Sequence, residues 1–333
     1  MDSITQAVLG ASVAAISVAP EHRRKAIVAG AILGTMPDLD VLIDYGDAVK
    51  NFTYHRGFSH SLFVLLPFSF SLWLILRRIW PPVRTAPRQW LLAISLALLT
   101  HPLLDAHTVY GTQLFWPLDF APTSWSTIFI IDPLFTLPLF VGVSVMVICP
   151  KRQSAAIVLS LAIALSSSYL SWSWLAKHLA EVHARKSLIS LKLDESALIA
   201  TPTPFNTLLW RFIVLSDDVY LEGYYSLLSK DKKVRFERYP LRRRLTKEAA
   251  EIWSVSRLMW FSRGFVKAVV NQDKLIMTDL RMGAEPEYVF NHVVAQRNGE
   301  IWQEIQTELI SPKMGFAEVP GIWRKVWNGI LGR

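Results

Sequence analysis

The sequence HRGFSHSLFVLLPFSFSLWLIL, residues 55–76, decides how this chain is organised. Its second part, residues 62–76, is an apolar run without a charged side chain, which is typical of a helix that crosses a membrane. Its first part places His55, Arg56 and His60 just ahead of that run. Because ionisable groups are costly to desolvate in a membrane, such a cluster usually marks a functional site.

Further apolar runs surround this one in the first half of the chain. Together they predict six helical segments, at residues 4–19, 25–36, 61–80, 89–106, 126–148 and 154–175. The last four have about the ~20 residues that a membrane span needs, whereas the first two are shorter and rich in Ala and Gly. Gly30 and Gly34 form a small-xxx-small pattern, which allows close helix packing but also arises by chance in such runs.

The composition supports a membrane protein. Of the 333 residues, 52% are hydrophobic, and 13 are tryptophans, which anchor proteins at lipid interfaces. The net charge of +8 fits an anionic lipid surface at least as well as nucleic acid. The single cysteine, Cys149, excludes an intrachain disulfide. The N-terminus has no basic region before its apolar run, so we predict no removable signal peptide.

The charges of the connecting segments predict an orientation. Lys and Arg are concentrated in residues 21–25, 77–88 and 150–153, whereas residues 107–125 contain neither. Basic connectors favour the cytoplasmic side, so the N-terminus and everything after the sixth segment should lie on the other side. We therefore predict a multi-pass protein of a bacterial inner membrane, with its polar motifs and its C-terminal part on the periplasmic side.

The second half of the chain has a different character. Short strand-like runs occur at residues 208–215, 220–228, 264–270, 274–279 and 288–295, and a helix is expected near 246–260. This pattern predicts a small α+β extramembrane domain at residues 177–333, after a membrane-embedded helical domain at residues 1–176. The basic stretch 230–244 is most simply a solvated face; docking on lipid headgroups is the alternative, and nucleic acid fits least.

Two carboxylates and a histidine–carboxylate pair lie next to the apolar runs. Asp38 and Asp40 follow Pro37, and two anions this close repel unless a cation lies between them, although solvated turn aspartates give the same pattern. His101 and Asp105 stand four residues apart, which puts them on one face of a helix. They could share one metal ion, or simply form a hydrogen bond at the helix end.

The block at residues 55–60 completes the set. His55 and His60 are five residues apart, so a continuous helix would not align them, but Gly57 can break the path and turn both inward. Arg56 could neutralise an anionic substrate, and Ser59 could cap the next helix. The alternative is a pair of interfacial histidines beside a snorkelling arginine.

The predicted topology brings these groups to one membrane face, and together they predict a divalent-metal site. Imidazole and carboxylate suit Zn, with Mn or Fe as alternatives, better than Ca or Mg, and the set is large enough for one or two ions. A bound metal lowers the pKa of water, which favours hydrolytic chemistry. The expected metal ligands are Asp38, Asp40, His55, His60, His101 and Asp105.

At these motifs the chain resembles the bacterial inner-membrane metal-dependent hydrolases often called YdjM-like. The matching segments are residues 1–10, 37–40, 55–61 and 101–105, with looser likeness at 110–113, 131–133 and 223–226. The resemblance implies metal-dependent hydrolysis at the membrane, and a distant similarity to zinc-dependent phospholipase C suggests a phosphoester. Many relatives carry Thr-His near the N-terminus where this chain has Thr5-Gln6, so one ligand of those relatives is missing here.

We therefore predict a membrane-bound metal-dependent hydrolase that acts on a phosphoester or lipid-like substrate. Arg56 and Asp132 are the expected catalytic residues: the first neutralises the substrate anion and the second orients a ligand or water. The expected partners are membrane lipid and a small-molecule or lipid substrate, without nucleic acid. The alternative is a non-enzymatic membrane protein for metal binding, partner binding or transport, because intramembrane His and Asp also serve ion pathways.

Overall fold

The computed structural model describes residues 1–193 and 196–310, together with residues 327, 329 and 330. The longer helices and strands within these residues follow the apolar runs of the sequence. The helices are α1 (Ser3–Ser17), α2 (Arg23–Thr35), α3 (Ala48–Tyr54), α4 (Leu62–Ile79), α5 (Pro81–Thr85), α6 (Pro87–Asp105), α7 (Pro133–Ile148), α8 (Gln153–Ser190), α9 (Arg243–Glu248) and α10 (Trp253–Phe261), with 3₁₀ turns at Met36–Leu42 and Phe58–His60. The strands are β1 (Leu198–Pro202), β2 (Leu209–Ser216), β3 (Val219–Ser226), β4 (Arg235–Pro240), β5 (Val266–Asn271), β6 (Lys274–Asp279), β7 (Gly283–Ala284), β8 (Glu287–Tyr288), β9 (Asn291–Asn298) and β10 (Ile301–Ile310).

The chain divides into two compact units. The first unit consists of Met1–Ile43 and His55–Ser173, and the second of Asp44–Tyr54 and the described residues from Trp174 onward. A short internal stretch thus belongs with the C-terminal part of the chain. The division of the sequence into domains at residues 1–176 and 177–333 stays a prediction.

Helix α1 is the centre of the first unit and packs against α2, α6 and α7. Small residues allow α1 and α2 to come close together, because a Cβ atom added at Gly34 would lie only 2.6 Å from the Gln6 carbonyl oxygen. Gly10 and Gly30 face each other in the same way. The close packing that the Gly30–Gly34 pattern allows is therefore present.

Three side-chain caps fix where helices of this unit begin. Asp2 accepts a hydrogen bond from the Thr5 amide in α1, and Asp132 accepts one from the Leu134 amide in α7. Ser61, not Ser59, caps α4 through the Phe63 amide. The predicted cap at Ser59 is wrong, because the 3₁₀ turn before α4 directs that hydroxyl elsewhere.

All six predicted helical segments exist as helices, but two of them have different ends. Helix α7 begins at Pro133, seven residues later than predicted, because Asp132 caps it and Pro133 occupies its first turn. Helix α8 runs to Ser190, well past the predicted end at residue 175, because no Gly or Pro interrupts it. Hydropathy alone missed both ends.

Within the described residues, α4 and α8 are long and apolar enough to cross a membrane, while α1 and α7 are shorter apolar helices. The N-terminal half is thus a helical region with two candidate spans. The bundle of six membrane segments stays a prediction.

The second unit is a small β-sheet domain with short helices. One antiparallel sheet has the order β1-β2-β3-β4, a second the order β10-β9-β6-β5, and β7 pairs with β8. The five predicted strands correspond to β2, β3, β5, β6 and β9, and the expected helix is split into α9 and α10. Sequence patterning missed β4 because this charged edge strand, RFERYP, lies in the basic stretch and buries little apolar surface.

Candidate metal centre

The turn that follows α2 presents the first carboxylates. Pro37 lacks an amide hydrogen, and at this point the α-helix gives way to the tighter turn Met36–Leu42. Within that turn Asp40 is buried, whereas Leu39 points to the exterior. The two carboxylates therefore face the interior of the first unit, and Asp38 keeps a side-chain exposure of 21%.

The backbone of the 55–60 block turns His60 inward. Arg56 has a left-handed φ of 60°, which is uncommon for a residue with a side chain. Its amide donates to Asp40 Oδ2 at 2.9 Å and its carbonyl accepts from the Gln113 amide at 2.9 Å, so neighbours hold this conformation. After this bend, His60 is fully buried.

The last turn of α6 supplies the remaining two groups. His101 and Asp105 lie on the same helix face, and both are fully buried. The sequence spacing predicted this arrangement, and the packing of α6 against α1 and α2 encloses it.

Four side chains converge here on one point: Asp38, His60, His101 and Asp105, which we call the four-residue cluster. The Nε2 atoms of the two histidines lie 3.0 Å apart. Asp38 Oδ1 lies 3.3 Å and 3.4 Å from these nitrogens, and Asp105 Oδ2 lies 3.3 Å and 3.5 Å from them. The four-residue cluster could therefore hold one metal ion.

Hydrogen bonds on the far side of each ring determine which nitrogen carries the proton. His101 Nδ1 lies 2.5 Å from the Gly34 carbonyl oxygen, which can only accept. Ser59 donates its hydroxyl proton to Asp40 Oδ2 at 2.6 Å, so His60 Nδ1, 2.9 Å from the same hydroxyl oxygen, donates to it. Both rings thus donate from Nδ1, so the two Nε2 atoms, which face each other, are the nitrogens that a metal ion would use.

This arrangement fits a metal ion. Ligands about 2.0–2.1 Å from a tetrahedral ion stand about 3.3 Å apart, close to the five distances above, and all four ligand atoms lie within 4.8 Å of one another. Asp38 Oδ1 and Asp105 Oδ2 are buried and have no donor in hydrogen-bonding geometry among the described residues. Two buried carboxylates repel each other, and a cation bound between them removes that repulsion.

The ionisation of Asp38 suits this role. Burial raises the pKa of Asp38, but the close imidazoles of His101 and His60 outweigh burial and hold the pKa well below its usual range. The side chain is therefore a carboxylate at neutral pH, as a metal ligand must be.

His55 and Asp40 lie beside the four-residue cluster and pair with each other. His55 Nδ1 is 2.7 Å from Asp40 Oδ1. Burial raises the pKa of Asp40, but the hydrogen bond and charge of His55 outweigh it and lower the pKa. Asp40 also accepts hydrogen bonds from the Arg56 amide and the Ser59 hydroxyl. These contacts together hold the bend that carries His60.

The structure places the two predicted catalytic residues differently. Arg56 is buried: its Nε lies 3.1 Å from Asp105 Oδ2, and its Nη1 donates to the Thr108 hydroxyl at 3.2 Å. Asp132 caps α7 and accepts from the Tyr169 hydroxyl at 2.9 Å. Thus Arg56 contacts the four-residue cluster, whereas the described contacts of Asp132 lie elsewhere.

Sequence reasoning did not predict the contacts of several supporting groups. Gln6 donates from Nε2 to Asp105 Oδ1 at 2.9 Å and to the His101 carbonyl at 3.2 Å. Both partners are acceptors, so the amide nitrogen faces them, and Gln6 supports the ligands instead of replacing a missing one. The Met1 amino group also contacts Asp105. The sequence had marked Gln6 as a departure from its relatives and Gly34 by the small-xxx-small pattern, but it predicted neither of their contacts.

Residues 1–180 match the family model of the YdjM inner membrane protein. This range covers more than half of the chain and includes every candidate site residue named above. No curated protein and no solved structure matches the chain.

Proposed function

The chain belongs to the YdjM inner membrane protein family, and from this premise we propose that it is a membrane-bound hydrolase that depends on a divalent metal. The family and the two candidate spans support a membrane protein. The proposed substrate is a phosphoester or a lipid-like molecule. In the proposed topology six segments cross the inner membrane, and the metal centre and the second unit lie on the periplasmic side.

One observation carries the proposal: the Nε2 atoms of two buried histidines meet, at one point, two carboxylate oxygens that accept no hydrogen bond from the described residues. A purely structural cluster would place donors opposite acceptors. The mixed His and Asp donor set suits Zn, with Mn or Fe as alternatives, and four donors are enough for one tetrahedral ion.

A divalent metal bound there supplies Lewis acidity and lowers the pKa of water. The protein's own residues hold that chemistry in place. Asp40 and Ser59 fix the orientation of His60, and the Gly34 carbonyl fixes that of His101. Arg56 holds Asp105 and adds a positive charge beside the centre, where it favours an anionic substrate. Asp38 is the most exposed of the four, so we propose that substrate approaches along its side.

A non-enzymatic metal-binding protein is the second candidate. His60, His101 and Asp105 are fully buried, and closed four-ligand sites are typical of structural metals, whereas catalytic sites keep an open position. Partner binding and transport belong to the same alternative. Hydrolytic turnover separates the two candidates.

The test measures bound metal and hydrolysis on the full-length protein purified in detergent. Metal content is measured for wild type, His60→Ala and, as a control, His178→Ala, which changes an exposed histidine. Each protein is then assayed against phosphoesters, carboxylic esters and amides with added Zn²⁺ or Mn²⁺. We expect wild type and His178→Ala to bind metal and hydrolyse a phosphoester, and His60→Ala to do neither.

Two outcomes would contradict the proposal. If His60→Ala retained as much metal as wild type, the four-residue cluster would not be the metal-binding site. Metal binding by wild type without turnover on any substrate class would favour the non-enzymatic candidate.

A further inference from the structure

A short stretch of the second unit lies in the sequence between the metal-site motifs. The chain leaves the first unit after Ile43 and returns to it at His55. The intervening residues, Asp44–Tyr54, include α3 and belong to the second unit. This stretch therefore separates the two aspartates after α2 from the histidine block before α4.

Aromatic packing holds α3 within the second unit. Phe52 is buried, and its ring centroid lies 4.9 Å from that of Phe261, 4.6 Å from that of Phe290 and 5.0 Å from that of His292. Phe261 ends α10, and His292 lies in β9. One side chain of α3 thus joins a helix and a sheet of the second unit.

Polar contacts fix both ends of α3. Arg257 of α10 donates to the Thr53 hydroxyl at 3.1 Å and to the Thr53 carbonyl at 3.4 Å, and its guanidinium lies 5.0 Å from the ring centroid of Tyr54. At the start, the Val49 amide donates to the Thr307 hydroxyl at 3.0 Å. The helix has only seven residues, so these contacts, not its intrinsic stability, keep it folded.

The end of α3 is close to the metal site along the chain. Only Thr53 and Tyr54 separate Phe52 from His55, so the Cα atoms of Phe52 and His55 can be no more than about 11 Å apart. His55 in turn pairs with Asp40, which also holds the Arg56 amide and Ser59. A displacement of α3 therefore acts on the bend that carries His60.

We propose that Phe52 and Arg257 are positioning residues of the metal centre. By fastening α3, the second unit restricts the conformations of the segment between Asp40 and His55, and so keeps His60 in its ligating position. This inference rests on the proposed metal centre, and it gives the second unit a part in metal binding although it supplies no residue to the four-residue cluster.

The expected effect follows from the fraction of molecules whose site is competent to bind. Apparent affinity falls in proportion to that fraction. If release of α3 leaves about one molecule in ten with the bend formed, the apparent dissociation constant for metal rises about tenfold. The ligands themselves are unchanged, so binding is weakened and not abolished.

The experiment compares Phe52→Ala, Phe52→Leu and Phe265→Ala in the full-length protein. Phe265 is a matched control because it is as buried as Phe52 but packs in a different cluster, with Leu241 and Leu280. Zn²⁺ affinity is measured by competition with a chelating dye, and the visible spectrum of bound Co²⁺ reports the geometry of the ligands.

We expect Phe52→Ala to bind Zn²⁺ about tenfold more weakly and to alter the Co²⁺ spectrum, Phe52→Leu to recover most of the affinity, and Phe265→Ala to match wild type. Equal affinities in all of these proteins, or an equal loss in Phe265→Ala, would overturn the inference. If Phe52→Ala does not fold, Arg257→Gln replaces it in the test, with the same expected loss of Zn²⁺ affinity and change of the Co²⁺ spectrum.

The same measurements distinguish a wrong metal-site assignment from a wrong role for Phe52 and Arg257. Wild type that binds neither Zn²⁺ nor Co²⁺ contradicts the proposed function and this inference together. Wild type that binds metal, with Phe52→Ala and Arg257→Gln unchanged, contradicts this inference alone.

Discussion

Each unit buries a cluster of charged side chains, but the two clusters are completed differently. In the second unit, Glu222 accepts hydrogen bonds at both oxygens: from Tyr224 at 2.7 Å on one, and from Arg211 at 2.9 Å and Tyr288 at 3.2 Å on the other. Arg211 also donates to the Leu280 carbonyl. The charges of the arginine and the glutamate neutralise each other.

In the first unit the four-residue cluster lacks such completion. Asp38 Oδ1 and Asp105 Oδ2 accept no hydrogen bond from the described residues, although Arg56 Nε lies 3.1 Å from Asp105 Oδ2, and the Nε2 atoms of two histidines face them. Burial and charge are common to both units, so neither identifies a site. What distinguishes the metal centre is that four possible metal-ligand atoms converge on one point.

Loss of one ligand should have the largest effect. In Asp105→Asn a neutral amide replaces a negatively charged metal ligand. Loss of a residue that only supports a ligand lowers metal affinity by up to roughly 100-fold, and we expect a larger fall here. Titration of the metal-free protein with Zn²⁺ measures this. Glu222→Leu, which changes the Arg211–Glu222 pair of the second unit, should keep the wild-type affinity for Zn²⁺. Equal affinities of the two variants would contradict the assignment of the metal site.

Glu222→Leu should instead affect stability. It leaves Arg211 buried without its countercharge, which typically costs about 3–5 kcal/mol. The double variant Arg211→Met, Glu222→Leu removes both charges and should regain most of that loss. The free energy of unfolding of each full-length variant in detergent measures this. A double variant that is no more stable than Glu222→Leu would contradict the prediction.

His292 of the second unit tests whether one partnerless group is enough to make a site. It is buried among aromatic rings, and neither ring nitrogen has a hydrogen-bond partner among the described residues. Burial lowers the pKa of His292 to about 4, and the nearby charges of Asp279 and Asp47 offset only part of this. Among the described residues it belongs to no group of converging metal-ligand atoms, so we expect it to affect stability and not to bind a metal ion itself.

The sign of the pH effect follows from these pKa values. The unfolded chain binds the proton near pH 6.5 and the folded chain only near pH 4, so stability falls as pH drops between them, by roughly 3 kcal/mol in all. His292→Gln should flatten this dependence. Unfolding curves from pH 7.5 to pH 4 measure it, and an unchanged slope in the variant would count against the assignment.

The smallest effect is expected at the supporting layer of the metal centre. Ser59→Ala removes the acceptor for His60 Nδ1 and a donor to Asp40, and should weaken metal binding about 10- to 100-fold. Ser61→Ala is the matched control, because the Ser61 hydroxyl bonds to the Phe63 amide and the Trp116 carbonyl instead of a ligand; loss of the α4 cap costs about 1 kcal/mol. Zn²⁺ titration of both variants should separate them; equal affinities would argue that Ser59 only shapes the turn.

Local patterns in the sequence predicted much of the fold. Apolar runs located the helices of the first half, and alternating strands located β2, β3, β5, β6 and β9. Charged strands such as β4 were not predicted, because the alternation of apolar and polar residues is seen only where one face of a strand is buried. The start of α7 depended on a proline and a cap, which hydropathy does not weigh.

The sequence by itself determined which residue types could bind a cation and that His101 and Asp105 share a helix face, because both follow from chemistry and from helical periodicity. It could not decide which of the six expected ligands meet. That choice depends on a left-handed bend at Arg56 and on glycines that bring α2 against α1. These long-range contacts also place Asp40 behind His60 and give Gln6 its position beside Asp105, because such positions are fixed by packing between segments distant in sequence.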